Sequence, residues 1–255
     1  MIDVGLQSLQ AAWFSSGGPI KCSASELYQS IIGEPAAATQ SSTAAGVSVA
    51  TGAQGPRYLR VQSSPGRIDY FLSSAPQVPQ FMAAEARSSS FDLLPNVNET
   101  IDAFVANCEK GSALVGEAIR IALVASTSQK AESSAAVSKI LATRIGLSLP
   151  FDDGTDLLFQ INRRKQLSSV ADVEANRVVK WVGELVQQIT IGPIGPDSKT
   201  LASGQHLATL SVDLNTVPTG RILSVDEQLL IFKELAVEAK RLSAASTLSA
   251  LGSPP

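Results

Sequence analysis

With 255 residues, the chain is long enough to bury a large core, as one domain or as two smaller ones sharing an interface. Only 17 % of residues are charged, and a net charge of −3 argues against a general phosphate-backbone binder, which needs many uncompensated Lys and Arg. Nucleic acid is therefore not an expected partner, and no apolar run approaches the length that crosses a bilayer, so neither is a membrane.

The 44 % hydrophobic fraction and mean hydropathy of +0.15 are those of an ordinary folded protein, yet aromatic residues make up only 5 %. Ala and Ser take their place, which predicts a surface rich in Ser, Thr and Gln. The two cysteines, Cys22 and Cys108, belong to no CxxC pair and read as small buried hydrophobes in a reducing compartment. The opening residues carry Asp3 and no basic stretch ahead of an apolar run, so no signal peptide is expected and the chain reads as cytoplasmic.

Val4 to Phe14 reads as the first strand. Ile2, Val4 and Leu6 alternate, then the phase shifts to Leu9, Ala11 and Trp13, which places a bulge near Gln7 and Ser8. Ser23 with Glu26 forms a capping box for a helix to Ile32 that carries Leu27, Tyr28 and Ile31, stopped by Gly33 and Pro35. Residues 34 to 56 lack periodicity apart from Val47 and Val49 and read as a mobile connection with one short strand. Leu59 and Val61, then Ile68, Tyr70 and Leu72, alternate around Ser64-Pro65-Gly66 as a hairpin. Residues 75 to 90 read as irregular chain, with a short helix at Phe81 to Ala86. Asn96 with Glu99 reads as a capping box for a helix bearing Ile101, Phe104, Val105 and Cys108 and closed by Gly111.

The second half follows the same order. Ala118 to Ala125 is a strand, and Ser133 to Ile145 a helix ending at Gly146. A meander spans Asp156 to Leu214, with Leu157, Phe159 and Ile161 on its first strand and Leu210, Val212 and Leu214 on its third. Residues 176 to 190 between them also fit a helix, but the frequency of Val favours a strand. Gly192-Pro193-Ile194-Gly195-Pro196 reads as a turn. Ser224 with Glu227 caps a last helix whose face holds Val225, Leu229, Phe232, Leu235, Ala236, Ala239 and Leu242.

These signals predict an α+β fold of two tandem strand-helix-meander-helix modules, residues 1–112 and 113–242, with mainly antiparallel sheets, helices on one face and a flexible tail at 243–255. In architecture, though in no motif, such a unit resembles the TATA-box-binding fold and the duplicated sheet of effector-binding domains in bacterial multidrug regulators. The resemblance implies a shape with one free sheet side, and no function.

Chemistry-bearing residues are sparse. The single histidine, His206, follows no GxSxG elbow and reads as a surface or strand-edge side chain. One His and two distant Cys do not make a zinc site. Asp152, Asp153 and Asp156 form the densest acidic cluster, but their spacing departs from a calcium loop and suits a turn into a strand. Gly17 and Gly18 ahead of Lys21 and Ser23 lack the order of a phosphate cradle. Trp181 and Glu184 fall on opposite faces of a strand, which puts Trp181 in the core. The basic run Arg163-Arg164-Lys165, with Arg177 and Lys180 on the next strand, is the candidate binding site: paired strands would gather these cations at one end of the sheet for an acidic partner or phosphate, or else they are exposed charges at a loop base.

No cofactor, metal or catalytic set is expected. The leading expectation is a non-enzymatic binding or assembly protein that uses a sheet face or the inter-module cleft to hold a protein partner or another copy of itself. One alternative is a small-molecule sensor with a pocket lined by Trp13, Tyr70, Phe159 or Trp181, and another is a metal-dependent hydrolase built on Asp152 to Asp156.

Overall fold

Alternating apolar side chains give a strand one face to bury, and most strands among the described residues bury theirs together. The computed structural model describes residues 4–15, 22–74, 92–147, 157–191 and 200–252. Strands β1 Val4–Phe14, β2 Ala38–Ser42, β3 Val47–Gln54, β4 Arg57–Ser64, β5 Arg67–Ser74, β6 Arg120–Ala131, β7 Leu158–Gln166, β8 Glu174–Ile191 and β9 Thr200–Thr216 form one sheet, ordered β2-β3-β4-β5-β1-β6-β9-β8-β7. Every pairing is antiparallel.

Among the described residues four α-helices lie on one face of it: α1 Ala24–Ile32, α2 Val97–Val115, α3 Ser134–Ile145 and α4 Val225–Ala245. Tyr28 of α1 sits over Gly52, Gly111 of α2 against Trp13, and Val137 of α3 over Gly183. Phe232 of α4 meets Trp13 edge-on at 5.3 Å between centroids. The register places Trp13, Gly52 and Gly183 on the same side of the sheet. The fold is thus mixed α+β, with a large antiparallel sheet and its helices to one side.

The first strand carries the expected bulge. Leu6 pairs with Thr127 and Ser8 with Ser126, so Gln7 is the extra residue, and Val4, Leu6, Leu9, Ala11 and Trp13 all face the helices despite the phase shift. Capping boxes at Ser23–Glu26 and Ser224–Glu227 open α1 and α4, and the Ser133 hydroxyl accepts from the Ala136 N–H at the start of α3. Residues 176–190 are strand, within β8.

Some expectations need correction. Residues 34–56 hold two strands: every residue of β2 is exposed, so no buried side imposed an alternation that the sequence could display. Asn96 precedes α2 but has φ 56° and makes no side-chain cap, since capping requires the extended backbone that Ser23 and Ser224 adopt. Gly111 does not close α2, which continues to Val115 and ends at Gly116 with φ 79°. Instead Gly111 admits the Trp13 indole, whose nearest ring atoms stand 3.2 Å from where a Cβ would be. Residue 112 accordingly falls within a helix. Strand β6 runs past its expected end at Ala125 because polar Thr127 and Ser128 are buried there, Ser128 bonded to Thr209 of β9. The expected short helix at Phe81 to Ala86 and the Gly192 to Pro196 turn lie outside the described residues.

Phe232 is fully buried, edge-on to Trp13 of β1. Phe232→Ala is expected to lower stability by about 3 to 5 kcal/mol in denaturant unfolding, from lost burial and the cavity left behind; a change within error would remove α4 from the core.

Candidate partner-binding surfaces

The basic run does not gather into one patch. Strands β7 and β8 pair so that Arg163 stands directly opposite Arg177, Arg164 opposite Asn176, and Lys180 opposite Gln160. Side chains alternate along a strand. Arg163, Lys165 and Arg177 therefore face the helices, while Arg164 and Lys180 face the opposite, open side.

On the helix side, the cations already have partners. Arg177 is 9 % exposed and donates from Nη1 to Glu238 at 3.1 Å, and Lys165 lies 3.8 Å from Glu234. Glu234 also accepts the backbone N–H groups of Ser168 and Ser169, at 3.0 and 2.8 Å, pinning the β7–β8 turn to α4. Burial pushes the Glu238 carboxyl up, but hydrogen bonds from Arg241 and Arg177 outweigh it and hold the group below its ordinary value. Arg163 reaches a backbone oxygen, that of Leu251, at 3.3 Å. On the open side, Arg164 and Glu174 make an exposed pair at 3.9 Å. Lys180 stands between Gln160 and Ser211 with no carboxylate partner among the described residues.

The open side carries a second, larger arrangement that no local motif announced. Arg67 and Arg120 hold their guanidinium groups over the Phe14 ring, at 4.9 and 5.0 Å from its centroid, and Arg60 lies over Phe71 at 5.7 Å. Arg67 makes a forked contact with Asp69, which also accepts from Gln10 at 2.8 Å. Asp69 is only 4 % exposed, so the fork neutralises a carboxylate beneath the arginine layer. Arg120 donates to Asn215 at 2.9 Å and has no carboxylate partner among the described residues. Asn162, Asn176 and Asn215 pass hydrogen bonds across three strands to Asp213. Ser73, Ser8, Ser126 and Ser211 align across β5, β1, β6 and β9, which keeps the middle of this face low. Gln7, at the bulge, accepts from Ser128 and donates to Glu184.

The aromatics expected to line a pocket are packed instead. Trp13, Tyr70 and Trp181 are at most 1 % exposed. Trp13 donates to the Ser112 hydroxyl, Tyr70 stacks on Phe104 at 4.5 Å, and Phe159 lies half-buried against Trp181. Trp181 and Glu184 do fall on opposite faces. His206 sits on β9 between Ala131 and Leu185, beside an apolar cleft of about 190 Å³ under α3. Cys22 and Cys108 are buried free thiols; burial, then Glu26, raises Cys22 to about 11, and burial, then Glu109, raises Cys108 well above its ordinary value. Asp152, Asp153, Asp156, Gly17, Gly18 and Lys21 lie outside the described residues. Among the described residues no three of His, Cys, Asp and Glu gather as metal ligands, and no helix is long and apolar enough to cross a membrane.

Comparison with protein-family models, with curated proteins and with solved structures finds no match for this chain. The reading of its surfaces therefore rests on their own chemistry.

Glu238 supplies a direct check on the helix-side cluster. Its carboxyl titrates below the ordinary 4.5, so its contribution is present above that value and fades as pH falls through the lower, folded one. Glu238→Gln leaves the Arg177 charge buried without its counter-charge and is expected to cost about 3 kcal/mol at pH 7. The gap to the native chain should narrow steadily once the pH drops below the ordinary value. A gap that stays constant down to pH 3, read by denaturant unfolding, would show that the carboxylate charge is not what holds Arg177.

Proposed function

We propose that this chain is a non-enzymatic binding or assembly protein, built of two tandem strand-helix-meander-helix modules, the first closing with α2 and the second with α4, and that the open side of its sheet holds a protein partner or another copy of the chain. The observation that carries this reading is the set of arginines stacked on aromatic rings on the side away from the four helices: Arg67 and Arg120 on Phe14, and Arg60 on Phe71.

Arginine and aromatic side chains dominate protein-protein hot spots, because each covers a large area at low entropic cost once its rotamer is set. Here the rings and Asp69 fix the guanidinium planes before any partner arrives, which lowers the ordering cost of association. The face is also large enough. Nine strands at a spacing of about 4.8 Å extend roughly 40 Å, so one side of a standard interface, about 800 Å², fits within it. The four-serine row gives the partner a flat approach to the backbone.

Ser126 and Ser211 lie side by side near the middle of this face, half-buried and bonded at 3.3 Å. Replacing both, Ser126→Arg with Ser211→Arg, is expected to dissolve the assembly or partner complex in light scattering after size exclusion, while the melting temperature stays within a few degrees. An assembly of unchanged mass in the doubly substituted chain would move the interface elsewhere.

A further inference from the structure

Residues 243–255 were expected to form a frayed tail, yet the described part is held in a seat at the β7–β8 end of the sheet. Helix α4 runs to Ala245, a 3₁₀ helix spans Leu248–Leu251, and Leu251 is 2 % exposed. Three side chains from three separate elements grip the backbone of this segment. The Trp181 indole N–H of β8 donates to the Ser246 carbonyl at 3.1 Å, Arg241 of α4 to Ala250 at 2.9 Å, and Arg163 of β7 to Leu251 at 3.3 Å. Arg241 is itself fixed by Glu238, with bonds of 2.7 and 3.0 Å. The seat thus consists of preset donors for carbonyl oxygens around a socket for one leucine.

The link into this seat is short and bent. Only Ser246 and Thr247 separate α4 from the 3₁₀ helix, and Ser246 has φ 49° and ψ 12°, a left-handed conformation that glycine tolerates and serine does not favour. Opening that turn costs α4 only its last capping bond, from the Ser246 N–H to the Leu242 carbonyl at 2.9 Å, and frees the segment. The seat then recognises the same carbonyl pattern and the same leucine whichever chain supplies them.

We propose that residues 246–252 are an exchangeable clasp, and that the seat of Arg163, Trp181 and Arg241 takes this segment from a second copy of the chain as well as from its own. A second copy is the occupant the seat fits, because the exchange keeps the bonds from Trp181, Arg241 and Arg163 and the Leu251 contact and gives up only the Ser246 turn with its N–H bond to the Leu242 carbonyl, the condition under which swapping costs little. A short hinge held in an unfavourable conformation favours such exchange. This proposal is independent of the sheet-face reading.

The test uses the full chain with Ser246→Val, which disfavours the left-handed turn, and Ser246→Gly, which favours it. Analytical ultracentrifugation at matched concentrations is expected to show dimerisation at least tenfold tighter for Ser246→Val than for Ser246→Gly, and Leu251→Ala in the Ser246→Val background should abolish it. The Trp181 indole N–H resonance, assigned by its loss in Trp181→Phe, should keep its native position in the dimer. Three results would overturn the proposal. They are a monomeric Ser246→Val chain with a native indole signal, a monomeric one whose indole signal has moved because the segment only undocks, and a dimer that survives Leu251→Ala. The last would place self-association on another surface, such as the sheet face.

Discussion

The pairing of β1 with β6 at the centre of the sheet is the contact on which the rest depends. It joins strands from the first and second parts of the chain, with ten residue pairs from Val4–Gln129 to Phe14–Arg120. Without it there would be two half-sheets. The Gln7 bulge makes the pairing workable, since a strand that ran straight through would turn either Val4 and Leu6 or Leu9, Ala11 and Trp13 away from the helices. Trp13 then anchors what lies above the seam, donating to Ser112 of α2 and meeting Phe232 of α4 edge-on. One strand thereby sets the register of the sheet and the positions of two helices.

The same pairing builds the open side. With Trp13 facing the helices, its neighbours Ala12 and Phe14 face away, and Phe14 comes between Arg67 of β5 and Arg120 of β6. Two buried polar groups on this side have partners: Asp69 accepts from Arg67 two residues back along β5 and from Gln10 of β1, and Asn215 accepts from Arg120 and Asn176 of the neighbouring strands. A face of this kind is ordered without a partner and still presents aromatic edges, guanidinium planes and amides to one. That combination suits recognition by contact better than it suits chemistry, and it underlies the binding reading.

The long periodic elements were legible in the sequence because burial on one side writes itself into residue order. Strand β1 was readable to its bulge, and α1 and α4 to their serine caps. Strand β2 was not, since all its residues are exposed and nothing forces Ala38 to Ser42 to alternate. The seat for residues 246–252 was hidden for a different reason: its anchors, Arg163, Trp181 and Arg241, converge only once the strands have paired and α4 has packed. The basic run was misleading because its spacing is compatible with a shared patch, whereas strand alternation divides it between two faces. One signal was available. Glu234 and Glu238 stand four apart on α4, one helical turn, and so mark an acidic stripe able to receive Lys165 and Arg177. The arginine-aromatic pairs left no trace in local sequence, since Phe14, Arg67 and Arg120 belong to three strands.

If this chain works by holding another protein chain, as we propose, its mass in the native state carries the signature. Native mass spectrometry of the protein purified gently from its own cells tests that most directly. A defined oligomer, or a stoichiometric complex with a second protein, is the predicted result. A bare monomer, or a monomer that retains a small molecule or a metal ion in place of a protein partner, would contradict it, and the mass of any adduct would begin to name the ligand.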